Sequence, residues 1–529
     1  MSTARFFVLL SIVAVNLIFI PGRARAAQAS NARCEALASA DFSQIPDAPT
    51  QVIETKSVDP GTGTGDSAYC GVSGYVAPSI GFLLRLPPEG WNGKFIELGC
   101  GGACGTLRHI AGCDDPLRRG YACIVSDGGH KSNGLEMKWA YNNAQAVIEY
   151  FVRAPHVTAV AGKAITQRYY GQAPSKSYFM GCSAGGIQAM WQTQRFPWAF
   201  DGIVAGAPCP DLSASWMNLL WGNRALMDRT GKSLLEQDDL ETLHQAVVAK
   251  CDLNDGVQDG VIGDPRACGF NPEELRCTVD RKARCLTPQQ VEAAGKIYRG
   301  PITSEGEQIV LPAAQRGSER TWPSWFEGSA ANPSRMYNYI GEWFRYYFFQ
   351  PNPGPAWELN AFDFDRDYKR LGMAEISDWG NNPNLRRFKA AGGKLLSYTG
   401  WNDAVDGVLS TAGYYESAEK IMGGRAATQD FFRLFVIPGM NHCGGGEGAS
   451  TVDWLTYLEA WVEKGRAPDK IIGAHLKADA GAGAVRFPLD TAKIEFSRPV
   501  YPYPLTAKYL GRGDPQDASS FGPVAVKSR

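Results

Sequence analysis

The sequence has almost no net charge and no run of like charge: 53 Lys and Arg face 54 Asp and Glu, giving −1 at neutral pH. Binding to nucleic acid or to an anionic membrane surface draws on a basic excess, so neither is expected as a partner. No short internal repeat recurs, which excludes a solenoid. After the N-terminus no apolar run reaches the roughly 20 residues that span a bilayer. Histidine is scarce: there are six in 529 residues, so each candidate base can be weighed by its setting.

What is present suits a large exported enzyme. A chain of 529 residues that is 44% hydrophobic can bury a sizeable core in two or more domains, or in one with a large insertion. Arg5, the apolar stretch from Phe6 to Ile20, the Pro21-Gly22 break and Ala24-Arg25-Ala26 have the layout of a cleavable leader over residues 1–26. A membrane anchor would need a longer apolar stretch. Export to the periplasm or the medium is therefore expected, with no membrane association after cleavage. An oxidising compartment preserves disulfides, and because the 13 Cys are odd in number at least one stays unpaired.

Apolar runs bounded by turn residues predict strands over residues 94–99, 121–126, 178–181, 202–205, 394–399 and 432–437. Helical periodicity over 138–153, 159–170, 185–195 and 453–464 alternates with them. Such alternation predicts an α/β fold with a mainly parallel sheet covered on both faces. Between 209 and 383 the chain turns rich in Trp, Pro and Cys with few strand signals. The expected organisation is a core over 27–208, an inserted lid over 209–383 and a second core segment over 384–529.

The chemistry is concentrated in a few short segments. Tyr178-Phe179-Met180-Gly181-Cys182-Ser183-Ala184-Gly185 reads as a strand running into a G-x-S-x-G turn, which lifts a serine hydroxyl above a sheet. A serine needs a base, and a histidine works best when a carboxylate holds its tautomer. His442 follows the last expected strand, where this architecture carries its base, whereas His109, His130, His156, His244 and His475 have no comparable setting. Asp403 ends the preceding strand, with Asp406 as the alternative acid. Cys182 precedes Ser183 and Cys443 follows His442, so a fold that joins serine to histidine would also bring two sulfurs within disulfide range. Oxyanion donors are expected from the N–H of Ala184 and from Gly101 or Gly102 in a glycine-rich turn after an early strand. In the insertion, Asp252, Asp255 and Asp259, spaced by Gly256 and followed by Gly260, could wrap a hard cation, calcium outside a cell, although the spacing is not that of an EF-hand.

Gly181-Cys182-Ser183-Ala184-Gly185-Gly186, Gly400-Trp401-Asn402-Asp403 and Gly439-Met440-Asn441-His442-Cys443 together resemble the tannase and feruloyl esterase family of secreted serine esterases, over most of the chain. The resemblance implies an α/β-hydrolase fold with a lid, and a triad of Ser183, Asp403 and His442. It also implies a structural Ca2+ held by Asp252, Asp255 and Asp259 through side chains and by Val257 and Val261 through carbonyls. It further implies disulfides Cys34–Cys70, Cys182–Cys443, Cys251–Cys268 and Cys277–Cys285, leaving Cys100, Cys104, Cys113, Cys123 and Cys209 unassigned. Two departures stand out. Many members carry His where this chain has Thr399, implying an altered substrate contact, and Cys100 and Cys104 lie within the oxyanion turn.

The resulting expectation is an esterase acting on a small aromatic ester, feruloyl, galloyl or a terephthalate monoester, through an acyl-enzyme. Trp322, Trp325, Trp343, Phe344, Tyr346 and Tyr347 of the insertion could stack on a planar acyl group or pack the lid. The same triad would serve a lipase or peptidase, and a non-catalytic binding protein could keep the fold; activity on aromatic esters and reaction with a serine-directed phosphonate separate these readings.

Overall fold

Burial divides the central sheet into two halves. In β2 (Tyr69–Val76) buried and half-buried residues alternate, as in an antiparallel strand with one wet face, while β5 (Ala122–Ser126) and β7 (Gly202–Gly206) are buried throughout, as in a parallel strand covered on both sides. The computed structural model describes residues 21–61, 67–280, 283–371, 378–477 and 487–525. Among them nine strands form one sheet in the order β1-β2-β3-β5-β4-β6-β7-β8-β9. The remaining members are β1 (Thr50–Val58), β3 (Ile80–Leu86), β4 (Lys94–Leu98), β6 (Lys176–Cys182), β8 (Lys394–Gly400) and β9 (Phe432–Ile437).

Strands β4 to β9 pair in parallel and match the six expected from sequence to within two residues. The antiparallel trio β1–β3 was not anticipated. Its middle strand carries Gly71 and Gly74, which break the apolar alternation that marks a strand in sequence; a Cβ on Gly74 would meet Gln51 O at 2.3 Å.

Both faces of the parallel half are covered. Phe95, Ile124, Phe179, Ile203 and Leu395 pack with Val157 and Ile165 of the helix Ala154–Tyr170 and with Tyr415 and Ala418 of Val408–Met422. Their neighbours Ile96, Val125, Tyr178, Val204 and Leu396 pack on the other face with Trp454, Leu458 and Trp461 of Trp454–Lys464. The two helices expected over 138–153 and 159–170 are one continuous helical run from Ala144, widened by a π turn at Glu149–Arg153. The cause is Pro155, which has no N–H to donate to Phe151 O, so the chain takes up the defect one turn earlier.

Between β7 and β8 the chain leaves the sheet for the helices Leu212–Leu226, Gln237–Cys251, Pro288–Arg299 and Arg335–Trp343, which share a separate apolar core. A sheet of this order, covered on both faces and with the insertion after β7, is the α/β-hydrolase fold. Two small hairpins close the C-terminal part, β10 (Ile471–Leu476) with β11 (Ile494–Val500) and β12 (Leu505–Tyr509) with β13 (Phe521–Ala525). The expected leader lies outside the described residues up to residue 20, and no described helix is long and apolar enough to cross a membrane.

Candidate active site

Strand β6 ends in a turn that only small residues allow. Ser183 has φ +61° and ψ −124°, a conformation outside the ordinary wells for a non-glycine residue. Gly181 and Gly186 make the turn possible: a Cβ on Gly181 would lie 2.5 Å from Gly185 O, and one on Gly186 would lie 2.1 Å from Gly206 O. The Ser183 N–H donates to Gly206 O at 3.0 Å, and the helix Ala184–Arg195 begins at once. The Ala184 N–H therefore stands in the first helical turn, where no intrahelical acceptor exists.

Two further loops converge on this turn. After β8, Asp403 is fully buried and accepts N–H bonds on Oδ1 from Val405 at 2.9 Å and Asp406 at 3.2 Å. After β9, His442 Nδ1 lies 2.8 Å from Asp403 Oδ2. The loops are tied by backbone bonds, Trp401 N–H to Ile437 O at 3.1 Å and Asn402 N–H to Met440 O at 3.0 Å. Burial alone would raise the pKa of Asp403, but the charge and hydrogen bond of His442 and the two N–H donors hold it below the usual carboxylate value. Burial likewise opposes charge on His442 and is overcome by Asp403 and then Asp406, so the imidazole pKa is raised. Cys182 and Cys443 form a disulfide.

Ser183, Ala184, His442 and the Cys182–Cys443 pair face one cavity of about 700 Å³ beneath the insertion. Its walls come from distant segments: Leu135 and Tyr150, Ile187 of the helix Ala184–Arg195, Leu212, Trp216 and Leu219 of the helix Leu212–Leu226, and Trp325, Tyr339 and Trp343 beyond. Trp325 meets the His442 ring edge-on at 5.3 Å. Of the aromatics singled out from sequence, only Trp325 and Trp343 line the cavity, whereas Trp322, Phe344 and Tyr347 are core residues and Tyr346 is buried. Trp216, Ile187 and Tyr339 carried no signal that separates a cavity wall from an ordinary core position.

Gly101 and Gly102 also line the cavity. The loop is braced by Tyr150 Oη–H donating to Gly102 O at 2.9 Å, by Ala103 N–H donating to Gly134 O at 2.8 Å, and by His130 Nε2 lying 2.7 Å from Ala103 O. Among the described residues the N–H groups of Gly101 and Gly102 have no protein acceptor. Cys100 and Cys104 are joined to each other, so the cysteines that depart from the family pattern close the turn. Thr399 is fully buried inside β8 and is not part of the cavity wall, so the expected change of substrate contact at that position is corrected.

The pairs Cys34–Cys70, Cys251–Cys268 and Cys277–Cys285 are bonded, Cys113–Cys123 is an additional bridge, and Cys209 is a buried free thiol. In the acidic loop, Asp252 accepts from the N–H groups of Asp259 at 3.3 Å and Gly260 at 3.1 Å. Burial, then the charges of Asp259 and Asp252, push the Asp255 carboxyl up to about 7, while the Val257 N–H and Arg498 oppose them. Arg498 also reaches Asp259 Oδ2 at 2.5 Å. Hard carboxylate oxygens gathered in one loop fit a divalent cation in donor type. The three carboxylates are not drawn within 4.8 Å of one another; among the described residues the trio that meets that distance is Asp403, Asp406 and His442.

The family model for tannase and feruloyl esterase matches residues 64–524. The mono(2-hydroxyethyl) terephthalate hydrolase of Piscinibacter sakaiensis is 34% identical over 570 residues, covering 94% of this chain and 92% of that protein. A probable feruloyl esterase B-2 of Aspergillus flavus is 33% identical over 413 residues, covering 73% and 75%. The crystal structure of feruloyl esterase B from Aspergillus oryzae superposes with a TM-score of 0.79 at 27% identity, covering 93% of this chain and all of that one.

Proposed function

Because the chain belongs to the tannase and feruloyl esterase family and is on that ground a carboxylic ester hydrolase, we propose that it hydrolyses esters of aromatic carboxylic acids through an acyl-enzyme on Ser183. The observation that carries this reading is the 2.8 Å bond from His442 to buried Asp403, with His442 facing the same cavity as the strained Ser183 turn.

Ser183 Oγ attacks the ester carbonyl as His442 Nε2 takes its proton, and Asp403 holds the Nδ1–H. The oxyanion takes hydrogen bonds from the N–H of Ala184 and from that of Gly101 or Gly102, which have no protein acceptor to give up. The alcohol leaves with the proton from His442, and water repeats the attack to free the acid and Ser183. Trp216, Tyr339 and Trp343 offer the acyl ring edge and face contacts in an aromatic wall.

One observation favours keeping a terephthalate monoester among the substrates. Arg335 is an exposed cation on the cavity wall and forms no ion pair among the described residues, so a carboxylate at the far end of a diacid monoester would find a partner there. The leader-like N-terminus and six disulfides support export. We assign Ca2+ to Asp252, Asp255 and Asp259 with the carbonyls of Val257 and Val261, as a support for the lid with no part in the chemistry.

The test is hydrolysis of methyl ferulate, methyl gallate, chlorogenate and a terephthalate monoester by the purified protein and its Ser183→Ala variant. Turnover of at least one of them, lost in the variant, supports the reading. Activity confined to peptides or long-chain aliphatic esters overturns it.

A further inference from the structure

The triad leaves one buried acid beside the imidazole unused. Asp406 is 3% exposed and lies on the cavity wall, and its Oδ2 stands 3.6 Å from His442 Nδ1, the ring nitrogen that Asp403 already meets. That oxygen has no hydrogen-bond partner in the protein. The rest of the residue is fixed. Its N–H donates to Asp403 Oδ1 at 3.2 Å, and its carboxyl lies beside the Cys209 thiol and the Ser215 hydroxyl, 2.9 Å apart, both of which favour its ionised form.

The titratable groups that face it are Asp403 on its own loop, His442 on the loop after β9, Cys209 after β7 and Tyr339 of the lid. His442 is the one group among these that can become a cation. A buried carboxylate oxygen without a partner is costly, so an acid here that merely packed the core would be better replaced by an apolar residue of the same size. The Nδ1–H is there in both states of the ring, but Asp406 faces an opposite charge only when His442 is an imidazolium, which is the state reached as Ser183 loses its proton.

We propose that Asp406 is a positioning residue for the catalytic imidazole, a second carboxyl that shares the Nδ1–H of His442 with Asp403 when the ring is an imidazolium. This rests on the reading of His442 as the base. Burial and then the charge of Asp403 raise the pKa of Asp406, with His442 opposing, so its own proton is lost at higher pH than that of an exposed aspartate. When Asp406 is ionised two negative charges face the imidazolium; when it is protonated only Asp403 does. The proton that Ser183 gives to Nε2 is thus held more firmly in the first state.

Asp406→Asn keeps the size and removes the charge. The expected result is a shift of the His442 imidazole titration, followed by NMR, to lower pH by about one unit, with the acid limb of kcat/KM moving the same way and Asp406→Glu restoring part of the shift. An unmoved titration and an unmoved limb overturn the inference, however far activity or Tm falls, because a packing role changes stability without changing a titration. If Asp406→Asn does not fold, the wild-type His442 resonances still decide: two pH steps are expected, one its own and one from Asp406, and a single step overturns the inference. Full esterase activity in Ser183→Ala overturns the triad reading and this inference with it, whereas an unmoved titration overturns this inference alone.

Discussion

Cys182 and Cys443 are bonded with their Cα atoms 5.8 Å apart, and the bond closes 261 residues of sequence between the neighbours of Ser183 and His442. Closing so long a loop stabilises by about 5 kcal/mol in the chain-entropy model. Its position adds a second consequence, since a misplacement of about 1 Å in a reacting pair can cost on the order of a hundredfold in rate. Cys182→Ala with Cys443→Ala should therefore lose kcat by roughly that factor at temperatures where circular dichroism reports a folded protein. Near-normal kcat with only a lower Tm would reduce the bond to a stabiliser.

Asp403 holds His442 by charge and by a hydrogen bond at 2.8 Å, and it is fully buried. The base must be neutral to accept the Ser183 proton, and the raised imidazole pKa keeps it protonated above the ordinary 6.5. Activity should thus be low in acid and rise with pH through a value above 6.5. Asp403→Asn removes the main charge that raises this pKa, so the limb should move to lower pH while kcat falls by on the order of ten-thousandfold. A pH–rate profile of wild type and variant checks both.

Much of this was legible before the fold. Ser183 follows an apolar strand and precedes small residues, and Asp403 and His442 each follow a strand, so local pattern was enough to single out the three residues whose loops the fold brings to one edge of the sheet. The cavity wall was not legible, because Trp216, Ile187 and Tyr339 come from segments that touch only in the folded chain, and a Trp in a cavity wall has the same local pattern as Trp322 in the core. Strand β2 escaped because Gly71 and Gly74 interrupt its alternation. Asp406 was visible only as the alternative acid; that it faces His442 together with Asp403 depends on a turn whose closure the sequence does not reveal.

Gly186 packs against the carbonyl of Gly206 with no room for a side chain. Gly186→Ala must push the helix Ala184–Arg195 off β7, and overpacking of this kind costs about 1–3 kcal/mol. Calorimetry should record a lower Tm, and kcat should fall because the Ser183 turn moves with the helix. An unchanged Tm would show that the turn tolerates a side chain.

In the acidic loop Asp252 and Asp255 both have raised pKa values, from burial first and from neighbouring carboxylates. A cation bound there stabilises only the folded state. Exhaustive chelation should lower Tm, calcium should restore it, and elemental analysis should return about one calcium per chain. An unchanged melting curve with no calcium detected would remove the metal.

The central claim is that the acyl group passes through Ser183. Rapid quenching during turnover of a 4-nitrophenyl ester of an aromatic acid, followed by peptide mass spectrometry, tests it most directly. The account predicts that the acyl mass appears on the peptide containing Ser183, is absent in Ser183→Ala, and accompanies a burst of alcohol release. An acyl mass on another residue, or undiminished hydrolysis by Ser183→Ala, would contradict it.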